Sequence, residues 1–265
     1  MHKLIRPNLI HRVSRHPVAH TETSFVSTTN INFAESSRSN FPLTVCICTL
    51  LHNDEQNYEQ IMKTVRSIQS LFHKSFVVFA ESSSTDNTVE QFSKVDNSLL
   101  IHLDSATEHA QRNAYLSFVN KNRRQFDCML VLDTSIVKKP LDKSVFTCFE
   151  SLKYISWDAV FANQSYKYYD IKSLRSSYCP TDLSDNPQKM KTLKTHIPCD
   201  EKPIPVMSAF GGLAIYKVAH IEKCEYKSDG HVSFNLMFHQ SGGNRMFIEP
   251  SLVLETLEEN AHLYL

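Results

Sequence analysis

Two carboxylates stand directly behind short apolar runs in this chain. Glu81 follows Phe76-Val77-Val78-Phe79-Ala80, and Asp133 follows Cys128-Met129-Leu130-Val131-Leu132. Runs of this length, rich in β-branched and aromatic residues, are predicted as buried strands. Each acid then sits at a strand end, where its oxygens can accept hydrogen bonds from a ligand or share in holding a cation. Between them, Ser82 to Asn87 has turn composition, and Asp86 is placed to cap a helix that begins near Thr88.

The elements around these acids decide whether they can act together. Leu43 to Leu50 reads as a first buried strand, and Ile61, Val65, Ile68 and Phe72 recur at the spacing of one helix face. A second strand ends at Glu81, and Leu99 to Leu103 is a third. Ala110, Ala114 and Phe118 mark the inner face of another helix, and the fourth strand ends at Asp133. Strand and helix in alternation imply an α/β fold with a mostly parallel sheet and right-handed crossovers. Ligands of such sheets bind outside the carboxyl ends of the strands. Both acids fall there.

Beyond Asp133 the pattern loosens. A helix is predicted from about Asp142 to Lys153, a strand at Ala159–Ala162, a helix at His231–His239 and a strand at Met246–Ile248. Pro180, Pro187, Pro198, Pro203 and Pro205 break up the stretch between, which reads as a long loop, functional or mobile. Residues 1–42 carry little periodicity and read as a poorly ordered extension; residues 43–265 form the domain, divided near residue 137 into two halves.

Composition excludes several classes. The five glycines are Gly211, Gly212, Gly230, Gly242 and Gly243, so the first 210 residues contain none. A P-loop, a dinucleotide-binding fingerprint or a nucleotidyltransferase loop needs glycine just after the first strand; none of these is present. Lys+Arg and Asp+Glu both total 28, which argues against a nucleic-acid partner. No apolar run approaches the roughly 20 residues of a membrane-spanning helix. The seven cysteines show no CxxC pair, and Cys46 and Cys48 read as core residues on one strand face. A reducing compartment suits them.

In this context several segments resemble one family. Glu81-Ser82-Ser83-Ser84-Thr85-Asp86-Asn87-Thr88 is similar to the acidic turn after the second strand of GT-A glycosyltransferases. Gln111-Arg112-Asn113, ahead of the strand ending at Asp133, resembles the next pieces of that fold. Ser208 to Lys217, with Phe210-Gly211-Gly212 at its centre, and Tyr168 to Arg175 resemble the branch of fungal capsule-associated mannosyltransferases and giant-virus glycosyltransferases. The likeness covers about residues 43–255, in order.

That resemblance implies a GT-A fold with a donor half at 43–137 and an acceptor half at 138–265. It implies transfer of a sugar from a nucleotide-diphosphate sugar to a glycan or glycoprotein acceptor. Glu81 would accept from the nucleotide base, Arg112 and Asn113 would lie near the nucleotide, and Gly211-Gly212 would bring backbone close to the sugar. Asp133 would hold Mn2+ (or Mg2+) against the donor phosphates, with Ser135 and His231 as further ligands. The usual Asp-x-Asp reads Asp133-Thr134-Ser135 here, a hydroxyl in place of a carboxylate. Asp170 is the candidate general base. The alternative is an inactive homologue that binds nucleotide or glycan. A cytoplasmic protein is expected, in the host cytoplasm or virion if viral.

Overall fold

The computed structural model describes residues 10–13 (backbone only), 31–37, 41–134, 156–165, 170–177, 180–181 and 197–255. Ser135, the helix expected at 142–153, Tyr168 and Tyr169 lie outside the described residues.

In chain order the elements are β1 (Ile10–Val13), β2 (Ala34–Glu35), β3 (Phe41–Leu51), α1 (Tyr58–Gln69), β4 (Phe72–Ser82), α2 (Thr88–Phe92) and β5 (Ser98–Leu103). They continue with α3 (Glu108–Lys121), β6 (Cys128–Leu132), β7 (Ala159–Gln164), β8 (Ile204–Pro205), β9 (Leu213–Lys217), α4 (His231–Gln240) and β10 (Met246–Leu254).

All ten strands join one sheet, in the order β1-β5-β4-β3-β6-β9-β7-β10-β8, with β2 paired to β4. β1, β5, β4, β3 and β6 run parallel. β9 then enters antiparallel between β6 and β7, and β8 lies antiparallel on β10. The sheet is therefore mixed, a correction to the mostly parallel sheet expected. A short apolar run is compatible with either direction, so the sequence does not mark β9 as antiparallel. Within the segment read as an extension, β1 pairs with β5 and β2 with β4.

Period-two alternation along the central strands feeds two cores. Ile47, Val77, Phe79 and Leu130 face α1, which contributes Ile61, Met62, Val65 and Ile68. Cys46, Cys48, Val78 and Met129 face the other way, with Tyr115, Leu116 and Val119 of α3 and Phe234 and Phe238 of α4. Burying a Phe or Ile side chain in this way stabilises the fold by roughly 1.5–3 kcal/mol. Two details differ from the sequence reading. Phe72 opens β4 rather than closing α1, and α3 buries Arg112, Tyr115, Leu116 and Val119 along with the expected Phe118, while Ala114 packs partly buried against the same core.

The order of strands sets the place for a ligand. From β3 the chain steps to β4 and β5 on one side, then returns to lay β6 on the other. The carboxyl ends of β3 and β6 flank this switch point, where open α/β sheets form a crevice. Thr134 Oγ1 donates across it to Leu50 O at 3.3 Å. No helix among the described residues is long and apolar enough to cross a membrane.

Candidate functional site

Asp133 leaves β6 at that crevice and is partly exposed. Its backbone N–H donates to Gly212 O at 2.9 Å, which fixes the Gly211-Gly212 turn beside it. The turn in turn holds Asp170, whose Oδ2 accepts from Gly211 N–H at 3.0 Å. Gln164, at the end of β7, donates its Nε2 to Gly211 O at 2.8 Å. Three segments remote in sequence thus bring two carboxylates to one edge of the sheet.

Asp133 acts on its neighbour. Burial pushes the Asp170 carboxyl up to about 6, against bonds from Gly211 and Ser173 that pull it down, and the Asp133 charge adds to the rise. A carboxylate of that basicity is ionised at neutral pH yet ready to take a proton.

Gly211 is required by its surroundings. Its φ is +69°, and an added Cβ would lie 2.3 Å from Ala162 O and 2.8 Å from Gln164 Nε2. Since the nearest atom is backbone, the turn must move. Gly211→Ala should therefore lower unfolding stability by about 3 kcal/mol, measured by urea denaturation. A loss under about 1 kcal/mol would show that the turn tolerates the side chain.

Behind the turn, Phe210 stacks on His231 with ring centroids 3.6 Å apart and planes at 13°. Arg112 is 6% exposed, pairs with Glu108 one turn earlier, and lies 5.8 Å from the Phe210 ring and 5.7 Å from that of Tyr226. Burial, and next the Arg112 charge, hold the His231 imidazole well below its ordinary value, so it is neutral. Neither of its ring nitrogens has a hydrogen-bond partner. Asn113, read as lying near the nucleotide, spends both ends of its amide on Tyr226, accepting from its N–H and donating to its carbonyl, each at 2.8 Å. It positions this aromatic group rather than offering a free amide.

On the other flank, Glu81 is wholly buried. Its Oε1 accepts from Ser84 N–H at 2.7 Å, and its Oε2 bonds His102 Nδ1. With an oxygen on each of these partners, Glu81 caps the serine turn. Asp86 caps as predicted, accepting from Thr88 N–H at 3.0 Å and Thr88 Oγ1 at 2.6 Å. Sequence reasoning missed His102, Asp104 and Gln164. Asp104 carries the signal that exposed Asp133, a carboxylate just past an apolar strand; Gln164 carries none.

A divalent cation can be tested against these residues. No three His, Cys, Asp or Glu side chains among the described residues converge on one point. They make no resident metal cage. They do supply the partly exposed Asp133 and the unpartnered imidazole of His231. Mg2+-like ions are ordinarily bound by one or two carboxylates together with substrate phosphates, and the partly exposed Asp133 fits a cation that arrives with such a substrate. A separate cleft of about 830 Å³, lined by Asn120, Arg123, Arg124 and Glu222 among others, opens at the amino edge and is not part of this site.

Against known proteins, no protein-family model matches the chain, and no curated protein sequence does either. Solved structures do match. The mannosyltransferase PcManGT from Pyrobaculum calidifontis, in complex with GDP-Man and Mn2+, superposes with a TM-score of 0.52 at 12% identity, over 88% of this chain and 63% of that one. Glucosyl-3-phosphoglycerate synthase from M. tuberculosis gives 0.48 at 12% identity, over 81% and 71%. S. aureus TarS 1-349 gives 0.48 at 12% identity, over 83% and 62%. The first likeness establishes a shared fold, that of GT-A glycosyltransferases. The chain spans 63% of the length of the mannosyltransferase it matches.

Proposed function

We propose that this chain is a GT-A glycosyltransferase that carries a sugar from a UDP- or GDP-sugar to a glycan or protein acceptor, assisted by Mn2+ or Mg2+. One observation carries the reading: Asp133 and Asp170, 37 residues apart, are held together by the Gly211-Gly212 turn at the switch point of the sheet. The donor diphosphate would lie at Asp133. The cation, held there by Asp133 with His231 and Ser135, would neutralise the charge that develops on the departing diphosphate. Asp170 would take the acceptor's hydroxyl proton as that oxygen bonds the anomeric carbon and the diphosphate leaves with its electron pair. Backbone at Gly211 and Gly212, bare of side chains, would let the sugar approach.

The finer assignments follow from the sequence likeness. Ser208–Lys217 and Tyr168–Arg175 support a place with the fungal-capsule and giant-virus branch, and so a viral or cytoplasmic setting. A second reading, an inactive homologue that binds nucleotide or glycan, is favoured by one observation: Ser135 stands where the motif has its second carboxylate.

A thermal-shift panel of UDP, GDP and CMP with their sugars, each with and without Mn2+, tests the proposal. A nucleotide at 100 times its dissociation constant should stabilise the fold by about 2.7 kcal/mol, and the shift should grow with Mn2+. Binding without turnover of the matching sugar donor would favour the inactive homologue. No shift with any nucleotide would defeat the transferase reading and leave the inactive, glycan-binding homologue.

A further inference from the structure

The buried Glu81 is the inner end of a chain of contacts. A carboxylate can only accept, so His102 Nδ1 carries the hydrogen of the bond to Glu81 Oε2. The two residues are cross-strand neighbours, Glu81 on β4 opposite His102 on β5. The far side of the ring, Nε2, then faces Asp104 Oδ1 at 3.4 Å. Exposure rises along the chain: the side chains of Glu81, His102 and Asp104 are 0%, 19% and 37% exposed. A buried acid fixes an imidazole, and the far nitrogen of that ring lies beside a second acid that faces solvent.

The backbone under Asp104 is held as firmly. Ser105 sits at a φ of +52°. Its N–H donates to Ser83 Oγ at 3.1 Å, and Ala106 N–H donates to Ser82 Oγ at 2.8 Å. Asn53, in the loop after β3, accepts from Thr85 N–H at 2.8 Å, and His52 Nδ1 donates to Ser82 O at 2.8 Å. The loops that follow β3, β4 and β5 are clasped into one rim, and Asp104 stands on it.

We propose that Asp104, held on this rim beside the His102 ring that Glu81 fixes, reads the nucleobase of the donor and selects guanine. This deepens the glycosyltransferase reading and rests on it. Asp104 lies at the carboxyl end of β5 and Asp133 at that of β6, three strand spacings apart in the order β5-β4-β3-β6. At about 4.8 Å per strand that is roughly 14 Å, a span that an extended nucleoside diphosphate bridges with its phosphates at Asp133. The two oxygens of a carboxylate match adjacent N–H donors. Guanine presents such a pair, N1–H beside the N2 amino group. Uracil sets its single N3–H between two carbonyls, which a carboxylate repels, and cytosine offers its amino group beside a ring acceptor. The rim therefore discriminates by repulsion as well as by attraction.

The experiment is calorimetric titration of the full chain with GDP, UDP, CDP and xanthosine diphosphate, and with inorganic pyrophosphate, all with Mn2+. Wild type should bind GDP at least tenfold more tightly than UDP or CDP. Asp104→Asn presents a donor where xanthine has a carbonyl in place of the guanine amino group. It should lose tenfold or more for GDP, gain for xanthosine diphosphate, and leave pyrophosphate unchanged. Asp104 is exposed, so the variant should fold, and a merely structural role would not invert base preference. Glu81→Gln should narrow the gap between GDP and UDP with pyrophosphate again unchanged. Equal binding of GDP and UDP by wild type, or an unaltered preference in Asp104→Asn, would overturn the inference while leaving the glycosyltransferase reading intact. Failure of every nucleoside diphosphate to bind wild type would remove that reading itself.

Discussion

Asp133→Ala should lower sugar transfer about 10³-fold, the usual cost of deleting one group that stabilises developing charge in a transition state. The residue stands at the switch point, partly exposed, at the end of a strand whose other residues are buried. Its backbone N–H donates to Gly212 O, a bond that alanine keeps. The variant should therefore fold, and it should still bind the nucleotide. What should disappear is the Mn2+-dependent part of the thermal shift, a readout independent of turnover. Transfer at the wild-type rate would remove Asp133 from the chemistry.

Asp170→Asn should give a second large effect, of opposite sign in activity and stability. Without a carboxylate to take the acceptor's proton, transfer should fall 10²–10⁴-fold. Stability should rise. The Asp170 carboxyl is raised to about 6 by burial, so the folded protein binds this proton more tightly than the unfolded chain does. Its contribution to stability is fully present below the unfolded value near 4 and is lost as pH rises through about 6. Asparagine carries no charge to bury and can still accept from Gly211 N–H. Above pH 7 the variant should be more stable by on the order of 2–3 kcal/mol, the worth of about two pKa units, and at pH 4 the difference should vanish. Urea unfolding of metal-free protein from pH 4 to 8 measures it. A variant less stable at pH 8 would show that Asp170 is held as a favourable ion.

The part of the sheet from β3 to β6 was legible because its signals are local. Apolar runs and turns in series marked β3, β4, β5 and β6, and the rule that ligands lie at carboxyl ends singled out Asp133 before any contact was known. What stayed hidden depends on contacts between remote segments. Nothing near Asp170 in sequence tells that Gly211, 41 residues on, donates to it, or that Gln164 supports the same turn. Glu81 was correctly placed at a strand end. Only its neighbour across the sheet shows that its oxygens are taken, because register, not spacing along the chain, brings His102 beside it. The burial of Arg112 was hidden for a related reason: the aromatic rings beside it come from Phe210 and Tyr226, remote in sequence. The direction of β9 was equally out of reach, since five apolar residues look alike whichever way they run.

That antiparallel strand also governs the order in which the molecule can be made. β6 leaves the ribosome well before β9, and β7, which emerges between them, has no place beside β6: its partners are β9 and β10. Until Leu213–Lys217 arrives, the edge of β6 stays bare and Ala159–Gln164 has nothing to pair with. Unpaired, apolar strand edges are where nascent chains associate wrongly. The half that carries β3 to β6 can assemble early, from nearly sequential contacts, whereas the other half waits on one late strand. The same insertion that brings Gly211 and Gly212 to Asp133 thus makes the site one of the last parts of the protein to exist, and leaves the growing chain inert until the fold is almost closed.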